Sequence, residues 1–119
     1  MTKLSPHFKD TEFRCPCCKK GGSLVNPKLV AKLEILRTLI GDKPINITSG
    51  YRCSKHNKEV GGIADSQHLK NNAVDFYVKN MKPYDVYYYA NKVFWDGGVG
   101  IYKTHIHVDV GKKQRWQNF

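Results

Sequence analysis

The chain has 119 residues, enough for one domain with a hydrophobic core that needs no staples. Its 40% apolar and 25% charged residues are ordinary globular composition, and no apolar run reaches the roughly 20 residues that a membrane span needs. The 20 basic and 10 acidic residues give a net charge of +10, which fits either plain solubility or a polyanionic partner.

Residues 1–25 read as an irregular N-terminal lobe. Residues 1–10 hold no apolar stretch of signal-peptide length, so the sequence predicts synthesis in the cytoplasm without a recognisable signal peptide. The lobe carries Cys15, Cys17 and Cys18, and the fourth cysteine is Cys53. Three readings stay open. The thiols are buried and inert; or some of them hold a second, structural zinc with Cys53, although the spacing supplies no paired Cys-x-x-Cys partner; or one pairs with Cys53 in a disulfide after release from the reducing cytosol. A catalytic cysteine is not expected, because nothing around the cluster supplies a matched base.

Asn26-Pro27 is a helix start, with Asn as cap and Pro at the first helical position. Leu29, Leu33, Leu36 and Ile40 follow at helical spacing, and Gly41 stops the helix. Residues 44–48 alternate as a strand does, and Ser49-Gly50-Tyr51-Arg52 leaves it as a loop. Ser54 is placed to cap a short helix to about Val60, and residues 63–72 form a polar loop. Residues 73–78 read as a second strand. Pro83 to Phe94 reads as a helix with Val86, Ala90, Val93 and Phe94 facing in. Gly97-Gly98 turns the chain into a strand over 99–102. Lys103-Thr104 then turns a hairpin whose return strand is 105–110. The expected architecture is a single α+β domain over residues 1–119, with a small, mainly antiparallel sheet flanked by helices.

Side chains two apart share a strand face, so His105, His107 and Asp109 line one face while Ile106, Val108 and Val110 line the other. His68 lies in the polar loop, and Asp75 sits inside the apolar run Ala73-Val74-Asp75-Phe76-Tyr77-Val78. A carboxylate there needs a partner, either a lysine or a cation. Two imidazoles and one carboxylate make a three-ligand zinc site with an open position, the arrangement of catalytic rather than structural zinc.

These residues resemble the zinc D-Ala-D-Ala carboxypeptidase family of peptidoglycan peptidases. Its first motif, Ser-x-His-x-x-Gly-x-Ala-x-Asp, is matched by Ser66, His68, Ala73 and Asp75, with Asn71 at the glycine position. Asn tolerates the left-handed conformation best among non-glycine residues, so the turn survives. His107, in His-Ile-His-Val-Asp-Val, fits the family's last histidine ligand. The resemblance runs from about Leu4 to Gly111 and implies the fold shared by D-Ala-D-Ala peptidases and the Hedgehog signalling domain. It implies one catalytic zinc held by His68, Asp75 and His107. Arg52 would hold a substrate carboxylate, and Ser66 would hydrogen-bond the substrate or a ligand. Several members carry an acidic base three residues before the last ligand, where this chain has Thr104. Asp109 or His105 is then the proton carrier, with Asp109 the favoured one.

The implied activity is cleavage of peptide bonds in peptidoglycan stems, as a carboxypeptidase or endopeptidase, in a monomeric phage endolysin that acts on the cell wall. The positive charge would favour anionic wall polymers. No specific nucleic acid is expected, since basic helices, zinc-finger spacing and aromatic RNA-binding motifs are missing. The alternative is a non-catalytic zinc-containing binding domain, as the Hedgehog domain is.

Overall fold

The computed structural model describes residues 2–63 and 66–119. Ala64 and Asp65, in the expected 63–72 loop, lie outside the described residues. The N-terminal lobe is more ordered than its sequence suggests. Strands β1 (Lys3–Ser5) and β2 (Phe8–Lys9) form a small antiparallel hairpin, followed by two short 3-10 turns. Helix α1 (Pro27–Leu39) starts as expected: the Asn26 side chain accepts from Lys28 N–H at 2.9 Å, and Pro27 takes the first helical position. Leu29, Leu33 and Leu36 on its inner face are fully buried.

The main sheet holds β3 (Ile45–Ser49), β4 (Ala73–Val78), β5 (Gly98–Tyr102), β6 (Ile106–Asp109) and β7 (Gln114–Asn118). Their order is β3-β4-β6-β5-β7, and every neighbouring pair is antiparallel except β5 with β7. Strand β7 is a departure from the expected hairpin ending. Its residues, Gln-Arg-Trp-Gln-Asn, have no apolar alternation to announce a strand. It is held instead by parallel pairing to β5 and by Arg115, whose guanidinium donates to the carbonyls of Gly97 and Phe94.

Helix α2 (Ser54–Glu59) is capped one residue earlier than expected, by Cys53, whose sulfur accepts from His56 N–H at 3.4 Å. Helix α3 (Pro83–Val93) buries Val86 and Ala90, with Phe94 just beyond its end, while Val93 is only partly covered. The sheet is two-faced. Val74 and Phe76 of β4 pair with Val108 and Ile106 of β6, which pair in turn with Val99 and Ile101 of β5. This apolar face packs with α1 and α3 into the core.

The opposite face carries the polar residues in one register row. Ser49, Asp75, His107, Gly100 and Trp116 are successive partners across all five strands of the sheet. Gly100 is required there. A Cβ on it would stand 2.3 Å from Trp116 Cε2, so the indole lies directly over the glycine backbone and reaches the His107 ring. Gly100→Ala should therefore displace Trp116. Overpacking of this kind costs about 1–3 kcal/mol, read as a lowered denaturant midpoint with an altered tryptophan emission. An unchanged midpoint and emission would show that the indole is free to move.

Candidate metal centre

Three elements bring the donors together. His68 lies in a 3-10 turn, Gln67–Lys70, entered by Ser66 and closed by Asn71. Ser66 Oγ accepts from His68 N–H at 3.1 Å, and Asn71 takes the left-handed conformation at φ 60. Asn71 thus does stand in the conformation a glycine would favour there. Its Nδ2 donates to Gly21 O at 2.7 Å, tying the turn to the N-terminal lobe. Asp75 and His107 are direct cross-strand partners on β4 and β6.

The donor atoms converge. His68 Nε2 lies 3.3 Å, and His107 Nδ1 3.0 Å, from Asp75 Oδ1. The ligand atoms of the three residues lie within 4.8 Å of one another. Each has its other polar atom fixed elsewhere. His68 Nδ1 is 2.7 Å from Gly50 O, and a carbonyl only accepts, so this nitrogen bears the hydrogen and Nε2 has a free lone pair. His107 Nε2 is 2.7 Å from Asp109 Oδ2, which leaves Nδ1 facing Asp75. Asp75 Oδ2 accepts from Arg52 Nη2 at 3.1 Å, leaving Oδ1 inward. Two imidazole nitrogens and a carboxylate oxygen, each backed by a hydrogen-bonding partner, are a donor set that suits zinc.

The electrostatics agree with a cation site. Burial alone would raise the pKa of Asp75, but hydrogen bonds with His107 and His68 hold it well below the usual carboxylate range. Burial would lower that of His107, but contacts with Asp109 and Asp75 raise it to about 8. Without metal, His107 holds a proton between two carboxylates.

The other expected residues fall differently. Asp109 shares the strand face of His107, yet both its oxygens are committed. Oδ2 meets His107 Nε2, and Oδ1 accepts from Gly98 N–H and Gly111 N–H, each at 3.0 Å. It stands on the edge of the imidazole ring away from Asp75. The close fit depends on Gly98, where a Cβ would come 2.3 Å from Asp109 Oδ2.

His105 precedes β6 instead of starting it, and closes the hairpin by accepting from Tyr102 N–H at 2.9 Å. Its ring stacks on Tyr102 at 4.4 Å, and Nδ1 lies 3.2 Å from Thr104 Oγ1. Burial keeps its pKa below the ordinary histidine value, although Asp75 pulls the other way. Ser66 is buried, and its hydroxyl accepts from the N–H of His68, one of the three expected ligand residues. Arg52 is engaged within the chain: Nε donates to Ser49 Oγ, Nη1 to Asn57 Oδ1 and Nη2 to Asp75 Oδ2. Of the five guanidinium N–H donors, one on each Nη is left.

Sequence reasoning missed two aromatic neighbours. Trp116 stands 5.1 Å from the His107 ring and donates from Nε1 to Tyr102 Oη at 2.9 Å. Tyr102, Trp116 and His107 thus form a rigid wall beside the centre. A tryptophan in a polar tail was the only signal for it.

Fold and donor set together define a metallohydrolase-type centre. The model of the family described as Peptidase M15 matches residues 6–109, and the chain belongs to that family. A 44-residue segment is 41% identical to a zinc D-Ala-D-Ala carboxypeptidase of Streptomyces albus G. The segment covers 37% of this chain and 17% of that protein's length, so the chain spans far less than two thirds of this relative.

The raised His107 value sets a pH test on metal-free protein. A folded pKa of about 8 against an ordinary 6.5 means the native state binds this proton more tightly than the unfolded chain does. The resulting stabilisation is complete below 6.5 and is lost as pH rises through 8. It amounts to ~2 kcal/mol. Chelator-treated protein should lose that much denaturant stability across this window, while zinc affinity rises across it because the metal competes with the proton at Nδ1. A flat metal-free profile would contradict a proton shared by His107, Asp75 and Asp109.

Proposed function

We propose that this chain is a zinc metallopeptidase that cleaves peptide bonds in bacterial peptidoglycan stems, as a carboxypeptidase or endopeptidase. The observation that carries the reading is the convergence of His68 Nε2, Asp75 Oδ1 and His107 Nδ1, with Gly50, Arg52 and Asp109 holding the far side of each. Zinc bound there would supply a Lewis acid and activated water at neutral pH. The substrate class follows from membership of the Peptidase M15 family and from likeness to a protein named as a D-Ala-D-Ala carboxypeptidase. A role as a phage endolysin is the finer form of the proposal. The net charge of +10 supports it by favouring anionic wall polymers.

The chain's own residues then divide the work. Asp109 acts as a positioning residue: it accepts from His107 Nε2, sets the ring's tautomer, and is itself held by two backbone N–H groups. His105 is the proposed proton carrier. It follows Thr104 on the hairpin, two residues before His107, and among the described residues only its Nδ1 has a hydrogen-bonding partner. Its remaining nitrogen can take a proton from the nucleophile and pass it to the leaving amine. Arg52 neutralises Asp75 and can turn its two remaining N–H donors to a substrate carboxylate. Lys79 and Lys103 line, with His105, a surface groove of about 360 Å³ that presents positive charge beside the hairpin.

Purified peptidoglycan digested with zinc-loaded protein should release peptide fragments or D-alanine identifiable by mass spectrometry, and chelator should stop the release. No release by zinc-loaded protein would favour the non-catalytic binding domain. His107→Ala should lose both metal and activity. His105→Gln should keep zinc and lose ~10²–10⁴-fold in rate. Asp109→Asn should instead weaken zinc affinity by about 10–100-fold. If Asp109→Asn stays zinc-saturated and loses more activity than His105→Gln, the two roles are reversed.

Arg52→Lys should fold and keep the charge beside Asp75, but lose the paired N–H geometry. Its KM for stem peptides should rise more than its kcat falls. Unchanged kinetics would confine Arg52 to a structural part.

A further inference from the structure

We propose a second metal centre: a structural zinc bound by Cys15, Cys18 and Cys53, with Cys17 as fourth ligand. The Sγ atoms of Cys15, Cys18 and Cys53 lie within 4.8 Å of one another. Cys17 follows in the same turn next to Cys18 and interacts electrostatically with Cys53, which makes it the fourth thiol of this neighbourhood. The separation of Cys15 and Cys53 fits a shared ion better than a disulfide. At 3.7 Å it is far beyond the roughly 2.0 Å of a disulfide. It matches the edge of a tetrahedron with Zn–S bonds of about 2.3 Å, where sulfurs stand about 3.8 Å apart.

The backbone is shaped for the task. Cys15 N–H donates to Lys20 O at 2.9 Å, and Lys19 N–H donates to Cys15 O at 2.7 Å. Lys19 adopts the left-handed conformation at φ 57. This tight turn brings Cys15 and Cys18, a Cys-x-x-Cys pair, to the same side. Backbone N–H groups already point at the sulfurs: Cys53 N–H donates to Cys15 Sγ at 3.5 Å and His56 N–H to Cys53 Sγ at 3.4 Å. Such donors favour thiolate, the form that binds metal. A disulfide would use two of these sulfurs and leave the others idle. One soft, tetrahedral cation uses all four.

Its structural part follows from what it joins. It would clip the N-terminal lobe to the segment after β3 across a separation of 38 residues. In that segment Tyr51 N–H donates to Phe13 O at 2.7 Å, Gly50 O accepts from His68, and Arg52 holds Asp75. A cluster remote in sequence from the catalytic ligands thus fixes their supports.

The test counts zinc by elemental analysis on protein purified under reducing conditions. The wild-type chain should carry two zinc ions, Cys18→Ser one, His107→Ala one and the double variant none. Cobalt-loaded wild-type protein, which does not depend on any variant folding, should show thiolate-to-cobalt charge-transfer absorption that a site of two histidines and an aspartate cannot produce. One zinc per chain without that absorption would overturn the proposal, as would a Cys15–Cys53 disulfide in a peptide map of the reduced preparation. One zinc with the absorption would support it and remove the peptidase reading instead.

Discussion

The structure turns on the pairing of Asp75 with His107 in the middle of a sheet. A carboxylate and an imidazole are placed opposite one another on β4 and β6, in strands whose other faces are wholly apolar. Neither group can be left there alone, because an unpaired buried charge costs several kcal/mol. Nearly everything around them answers that constraint. Arg52 takes one oxygen of Asp75, Asp109 takes one nitrogen of His107, and His68 swings in from its turn beside the remaining atoms. What is left is a small region where three donors face one another. A proton can serve there as a makeshift bridge; a divalent cation serves better, because it meets all three at once.

The cost of such a centre is distributed into the fold. Glycines at 98 and 100 remove side chains where the Asp109 carboxylate and the Trp116 indole must lie against backbone. The Ser66 hydroxyl and the left-handed Asn71 set the turn that aims His68. The Gly50 carbonyl decides which nitrogen of His68 carries hydrogen. None of these groups is a metal ligand, yet each removes a freedom that a ligand would otherwise have to lose on binding. A preorganised site of this kind binds tightly without long, searching side chains.

Legibility in the sequence followed the same division. Strand β4 and helix α1 read directly, since one is an apolar run and the other carries Asn-Pro before spaced leucines. Of the three converging donors, Asp75 read directly as a carboxylate inside an apolar strand, whereas His68, and His107 in preference to His105, followed from the family resemblance. The supports did not. Trp116 lies on a polar strand held by pairing to β5, which no local pattern reports. The Gly50 carbonyl is a backbone group, invisible in residue identity. Asp109 was legible as a neighbour of the centre but not in its direction, because strand alternation gives the face of a side chain and not which edge of a ring it meets. Arg52 and Ser66 were placed near the site by the family resemblance, and their partners only emerged with the three-dimensional register.

That limit explains why the proposed proton carrier is chosen by subtraction. Along the strand face, Asp109 and His105 are equivalent by spacing, each two residues from His107. They differ in what else they touch. Asp109 sits between two backbone N–H groups and an imidazole edge, an environment that holds a carboxylate ionised and still. A group so fully satisfied is a good anchor and a poor shuttle, since accepting a proton would break hydrogen bonds that nothing replaces. His105 stands at the end of the strand, stacked on Tyr102 with a single side-chain partner, and can gain and lose a proton without disturbing the sheet. The stacking fixes the plane of the ring while leaving its edge free, the combination that proton transfer to a positioned nucleophile requires.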